Sequence, residues 1–208
     1  MSLAKPKLAD RRSAILDAAE RCFAQSGFHQ ASMHDICVAA GMSPGNLYRY
    51  FASKEAIIAG IAERNRAEAA ASFSAVANAP SFLDGLAQVA RHHMIDSSDA
   101  TVGLCIEIMS ESRRNPAIAR LFHGIEDEIK KQLVGLLKSA ADRGEISPAI
   151  DFEAAATMLM VLGDGMSWRR ISDRNFDAER ALPLMFQMVR SLLGISAAPD
   201  PSLPESTS

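Results

Sequence analysis

Apolar residues recur along most of this chain at spacings of three and four, and alternation with a period of two is missing, so the pattern predicts helices and no sheet. A first helix is expected from about Ala9 to Ser26, with Ile15, Ala19 and Phe23 along one side, Cys22 beside them and Gly27 as the stop. In "ASMHDICVAAG", Ser32 followed three residues on by Asp35 makes a capping-box pattern; Met33, Ile36 and Ala40 would face inward, and Gly41 would end the helix. Ser43 then stands as an N-cap with Pro44 at the first helical position, where its missing N–H costs nothing, and this third short helix should end near Phe51. Ser53 caps a longer helix whose inner side carries Ile57, Ile58 and Ile61.

Pro80 separates that helix from one at about 81–97, and "TVGLCIEIMSESRR" predicts another. Positions 118, 122, 125, 129, 133, 136 and 140 form a helical stripe that stops at Arg143-Gly144, with Gly124 a place where it could bend or break. Asp151 opens a helix with Phe152, Ala155, Leu159, Leu162 and Met166 on one side, and Asp177 precedes a last one with Leu182, Met185, Val189 and Leu192. Pro183 fits that helix only within its first four positions, which places the start near Glu179. From Ser196 onward "SAAPDPSLPESTS" has no apolar period and reads as a disordered tail. The expectation is an all-α, nine-helix chain in two domains: a three-helix head with a helix-turn-helix over 1–53, a helical body over 54–195 whose helix 54–78 is the link, and a tail over 196–208.

Composition narrows the class. The 208 residues are 48% apolar, enough for a real core, and the longest apolar run, Ala154 to Leu162, is far too short to span a bilayer. The first residues carry positive charge with no apolar stretch behind them, so no secretory signal and no membrane association are expected, and the location is expected to be cytoplasmic. Cys22, Cys37 and Cys105 lie at neither disulfide-framework nor zinc-ligand spacing, so no metal is expected. The net charge of −3 is unevenly spread: residues 1–54 hold seven basic and four acidic residues, +3, leaving 15 basic and 21 acidic residues, −6, for the rest. A basic head on an acidic body can approach a polyanion while the body is kept off it.

The turn Gly41-Met42-Ser43 between two short helices fits the helix-turn-helix unit, in which glycine supplies the left-handed conformation and the second helix projects outward. On that helix Leu47 and Phe51, four apart, turn inward, leaving Pro44, Gly45, Asn46, Tyr48, Arg49 and Tyr50 around its open faces. Pro44 and Gly45 are small enough to let the leading end sink into a major groove, where Asn46 matches the donor and acceptor of an adenine edge. Tyrosine hydroxyls and the Lys54 ammonium suit phosphate oxygens, and Arg49 suits either role. Tyr48 and Tyr50 could equally pack the head against the following helix, and His34 either reads a base or touches backbone.

The stretch "SMHDICVAAGMSPGNLYRYFASKEAII", with "ILDAAERCFAQSGF" before it, resembles the DNA-binding head of the TetR/AcrR family of bacterial transcriptional regulators, down to the pattern G-x-S-x-G-x-L-Y-x-Y-F-x-S-K-E. The resemblance implies an Ω-shaped homodimer joined through its last two helices (about 151–173 and 179–194), a double-stranded palindromic operator as partner, and a body that holds a small-molecule effector. By position it implies phosphate contacts at Ser32, Tyr48, Tyr50 and Lys54 and base-facing roles for His34, Pro44, Gly45, Asn46 and Arg49, and Ser43 is counted with them among the expected DNA-binding residues. For residues 80–208 it extends to helix layout only. The implied activity is that of a ligand-responsive regulator, a repressor released by a small apolar or amphipathic molecule, with no catalytic role and no cofactor.

For the effector, the soft apolar residues Met94, Met109, Met158, Met160 and Met166, with Phe82, Phe122 and Trp168, would either line a pocket tolerant of varied shapes or form plain core. His93, Glu107 and Glu111 are polar residues on apolar helices; the two glutamates, four apart, share a side and would either face a cationic or hydrogen-bond-donating ligand or be solvated. Asp164, between Gly163 and Gly165, is placed near the dimer seam or the pocket floor. An enzymatic reading finds little: His92 and His93 should diverge on a helix, and no glycine-rich phosphate loop or nucleophile elbow is present.

Overall fold

The computed structural model describes residues 8–195; the tail expected over 196–208 lies outside them. Among the described residues there are nine α-helices and no strand: α1 Leu8–Gln30, α2 Met33–Ala39, α3 Pro44–Tyr48, α4 Lys54–Asn78, α5 Phe82–Arg91, α6 Asp99–Ser112, α7 Pro116–Asp142, α8 Phe152–Ser172 and α9 Ala178–Leu192. A π-helical turn, His92–Asp96, follows α5. None of these helices is long and apolar enough to cross a membrane. The described residues form two compact units: one takes residues 8–71 together with Ser97–Ile129, the other takes Ser72–Asp96 and residues 130–195. The helix expected to link head and body is a single helix, and the division into units falls inside it.

In the first unit, Ile15 and Phe23 of α1, Ile36 of α2, Leu47 of α3 and Ile57, Ile58 and Ile61 of α4 meet in one core, each fully buried. Leu104 of α6 and Ile118 of α7 belong to that same core, so α6 is built into the helix-turn-helix unit and lies along α1. Gly27 ends the regular part of α1 with φ 73° and ψ 163°, a conformation open essentially to glycine alone. Beyond the kink, Phe28 is buried with its ring 5.6 Å from that of Phe23, so the chain continues for one further turn to Gln30 where a stop at Gly27 was expected. Arg64 of α4 ties back to α1 through Asp17 (2.6 Å) and Glu20 (2.5 Å).

In the second unit, Phe82, Leu137 and Leu193 are fully buried, and Ala155 and Ala156 of α8 and Met185 and Val189 of α9 are buried as well. The Phe82 amide donates to Glu145 Oε2 at 2.5 Å, and Arg143 pairs with the same carboxylate; together they hold Glu145 below the usual carboxylate range. Three sequence expectations need correction. Gly124 does not break α7, which is continuous over 27 residues. The helix expected over 81–97 leaves α-helical geometry at His92. Pro183 lies beyond the first turn of α9, since that helix starts at Ala178 with Asp177 as its N-cap, and the proline is accommodated on an exposed side.

Candidate nucleic-acid interface

The helix-turn-helix is assembled by short-range bonds that its sequence encodes. Ser32, in extended conformation, accepts a hydrogen bond from the Asp35 amide at its hydroxyl (3.1 Å), while Asp35 Oδ2 accepts from the Ser32 amide (2.8 Å) and hydroxyl (2.6 Å). The capping box is complete, and these bonds hold the Asp35 carboxyl below its ordinary range. At the other end of α2 the chain reverses at Gly41 with φ 62°, and Met42 N–H reaches Cys37 O at 3.0 Å. Ser43 then takes the N-cap position of α3 with an extended backbone, and its carbonyl accepts from Asn46 N–H and Leu47 N–H. Ser43 is thus the N-cap expected from the sequence, although its hydroxyl makes no capping bond; Pro44 at the first position starts the helix through its fixed φ.

Helix α3 has only five residues, and Leu47 is its one buried side chain. Phe51, just beyond it, is buried, with the Arg12 guanidinium 4.6 Å over its ring. Pro44, Gly45, Tyr48 and Arg49 are exposed, Tyr48 by 53%, and Asn46 is half-buried. His34 is exposed on α2. Tyr50 is half-buried and packs against the head core, so its ring takes up the packing alternative, whereas Tyr48 turns outward.

Lys54 behaves differently from the other candidates. Its Nζ donates to Phe28 O at 2.6 Å and His29 O at 3.2 Å and stands 4.6 Å over the Phe28 ring. Helix ends leave carbonyls without intrahelical donors, and a lysine can satisfy them. Two of the three ammonium donors are thus used to secure the last turn of α1, which leaves one for an external oxygen.

The ten candidate effector residues are divided between the units: Glu107, Met109, Glu111 and Phe122 in the first, and Phe82, His93, Met94, Met158, Met166 and Trp168 in the second. Glu111 is 5% exposed, and its Oε2 lies 2.7 Å from His29 Nε2 and 3.9 Å from Arg114 Nε, so it faces the end of α1. Glu107 is exposed, and its Oε2 would lie 3.7 Å from a Cβ placed on Gly27, beside the same kink. Met109 is exposed and Phe122 half-buried. Phe82 is core, whereas Met158 and Trp168 (51% exposed) are open on α8. Met94 and Met166 are half-buried; Met94 belongs to the π-turn, its methyl 3.4 Å from a Cβ placed on Gly163, and its carbonyl accepts from Arg170. His93 meets Ser72 Oγ at 3.3 Å. The π-turn brings the His92 and His93 rings into edge contact at 5.1 Å, where a regular helix would have separated them. Among the described residues no group of three or more His, Cys, Asp or Glu is placed to hold a metal. Asp164 is exposed beside its glycines, yet its packed surroundings raise its carboxyl above the ordinary range. His29 is the residue that sequence patterns did not single out: its partner lies 82 positions away, and nothing local marks it.

Residues 15–61 match the family model described as bacterial regulatory proteins of the tetR family, and residues 93–194 match that of the C-terminal part of BetI-type transcriptional repressors. The transcriptional regulator UidR of Escherichia coli K12 is 34% identical over 157 residues, 74% of this chain and 79% of that protein. Salmonella enterica GusR superposes with a TM-score of 0.79 at 33% identity, covering 90% of this chain and 97% of that one. Bacillus subtilis FadR, solved in complex with stearoyl-CoA, shares the fold with a TM-score of 0.72 at 22% identity, over 89% of this chain and 99% of that one.

The geometry of Lys54 makes one stability prediction. Lys54→Met keeps an unbranched apolar chain but removes both hydrogen bonds and the ammonium over Phe28, and is expected to lower the free energy of unfolding by about 1 to 3 kcal/mol in urea titration. An unchanged unfolding midpoint would mean that the two carbonyl contacts carry no weight.

Proposed function

The chain belongs to the tetR family of bacterial regulatory proteins and is a helix-turn-helix transcriptional regulator, and from that premise we propose that it is a dimeric repressor whose α3 enters the major groove of a palindromic operator. The observation that carries this reading is the surface of α3: one buried edge at Leu47, continued by Phe51, and Pro44, Gly45, Tyr48 and Arg49 left open to solvent beside a half-buried Asn46. Asn46 is assigned to an adenine edge, Arg49 to a base or phosphate, and Pro44 and Gly45 to close approach. Tyr48, the remaining donor of Lys54 and the hydroxyls of Ser32 and Tyr50 are assigned to phosphates, with Ser32 exchanging its bond to Asp35 for one to DNA. His34 is assigned to the groove edge next to α2, and Ser43 to setting the angle at which α3 leaves the turn.

A second copy of the chain is the proposed occupant of the α8 and α9 surface. Met158, Val161, Trp168 and Ile171 on α8 and Leu184 and Met188 on α9 are all exposed large apolar residues. Exposed apolar surface of this extent on neighbouring helices favours a protein partner, and a twofold dimer covers it with its own copy. The effector is proposed to be small and apolar or amphipathic, as the stearoyl-CoA held by Bacillus subtilis FadR is; among the candidates, half-buried Met94 and Met166 with His93 are assigned to it. Such a ligand weakens operator binding only by preferring a head spacing that does not fit DNA, typically with about 1 to 3 kcal/mol of coupling.

Binding to DNA from upstream of the chain's own gene, followed by fluorescence anisotropy, tests the head. Asn46→Ala is expected to cost about 1 to 3 kcal/mol on the preferred sequence and little on random DNA. Equal loss on both would remove Asn46 from base reading, and absence of any sequence preference in the unaltered protein would overturn the proposed role. For the dimer, Trp168→Glu is expected to give helical monomers in sedimentation; a variant that remains a dimer contradicts the assigned surface.

A further inference from the structure

Glu111 is the one buried charged residue among the described residues, at 5% exposure, and its partner His29 is 67% exposed at the side chain. A carboxylate taken out of water needs a compensating donor, and here the donor is a ring on the last turn of α1, past the Gly27 kink, 2.7 Å away. Arg114 brings its guanidinium Nε to 3.9 Å from the same oxygen. The same turn is held from its other side: Lys54 at the start of α4 binds the carbonyls of Phe28 and His29. Ser32, which caps α2, follows three residues after His29. The short segment from Phe28 to Ser32 is therefore clamped between α4, through its carbonyls, and α6, through an imidazole.

We infer that Glu111 and His29 form a positioning pair for operator binding: the α6 carboxylate sets where the last turn of α1 lies, and through that turn sets the Lys54 ammonium and the first residues of α2. The inference rests on the assignment of the head to DNA. It gives α6 a direct hold on the DNA-facing elements and turns the glutamate side of α6, Glu107 and Glu111, toward the head in place of an effector. Neither His29 nor Glu111 needs to touch DNA. Their loss therefore changes affinity through geometry and leaves the count of neutralised phosphates alone.

A double-substitution cycle in the full chain tests this, using Glu111→Gln, His29→Gln and both together, with operator affinity measured across a salt series well below each melting temperature. Each single substitution is expected to weaken operator binding by roughly tenfold, the pair no more than either alone, with the salt slope unchanged. Singles that bind like the unaltered protein, losses that multiply in the double variant, or a reduced salt slope overturn the positioning role. Hydrogen exchange of the DNA-free protein supplies a second readout: in Glu111→Gln, amides from Phe28 to Met33 should exchange faster while those of Ile57, Ile58 and Ile61 stay protected. Unchanged exchange from 28 to 33 overturns the clamp. If the unaltered protein binds no operator, the proposed function falls first, and exchange alone still decides whether the clamp exists.

Discussion

The burial of Leu47 and Phe51 is the constraint on which the rest of the head depends. A five-residue helix has no stability of its own, because nucleation fixes several residues before any bond is gained. Helix α3 exists because Leu47 and Phe51 fit among Ile36, Ile57 and Ile58 in a core that α1, α2 and α4 have already closed. A single narrow buried edge satisfies that core, and the rest of the helix surface is free to carry polar-tipped and small residues. The juxtaposition of Tyr48, Arg49 and Tyr50, costly on a buried helix, is tolerated for that reason: Tyr48 and Arg49 stay exposed while the Tyr50 ring packs on the head core.

Precision in that surface comes from outside the helix. The capping box of Ser32 and Asp35 fixes the entry to α2, the reversal at Gly41 fixes the angle to α3, and Lys54 and Glu111 hold the last turn of α1 from two sides. The first unit accordingly includes α6 and the start of α7, whose Leu104 and Ile118 share the head core. The second unit buries Phe82, Leu137 and Leu193 and leaves six large apolar side chains on α8 and α9 open. A basic head, +3 over residues 1–54, completes the chemistry expected of a surface that meets DNA.

Much of this was legible in the sequence because it is local. Gly27, Gly41, the capping box and the stripe of Ile57, Ile58 and Ile61 are fixed by residues within one or two turns, and the helix layout follows from the same periodicity. What stayed hidden is set by distant partners. Nothing near Lys54 tells that carbonyls 25 and 26 positions earlier will take two of its donors, and nothing near Glu111 tells that His29 will meet it. The helical period placed Glu107 and Glu111 on one side but could not say which neighbour that side would face. The π-turn at His92–Asp96 escaped because it spans only five residues, too short a stretch for a change of period to show in the apolar pattern. Ser43 takes the N-cap place that its sequence neighbours indicate, with backbone and Pro44 in place of a hydroxyl bond.

Hydroxyl-radical footprinting of the intact protein on the DNA upstream of its own gene tests the central claim, that α3 is presented as a pair of groove readers. The account predicts two protected half-sites related by a dyad, their centres a whole number of helical turns apart at about 34 to 36 Å each. A single unpaired footprint, protection spread evenly along the fragment, or none at all would contradict it.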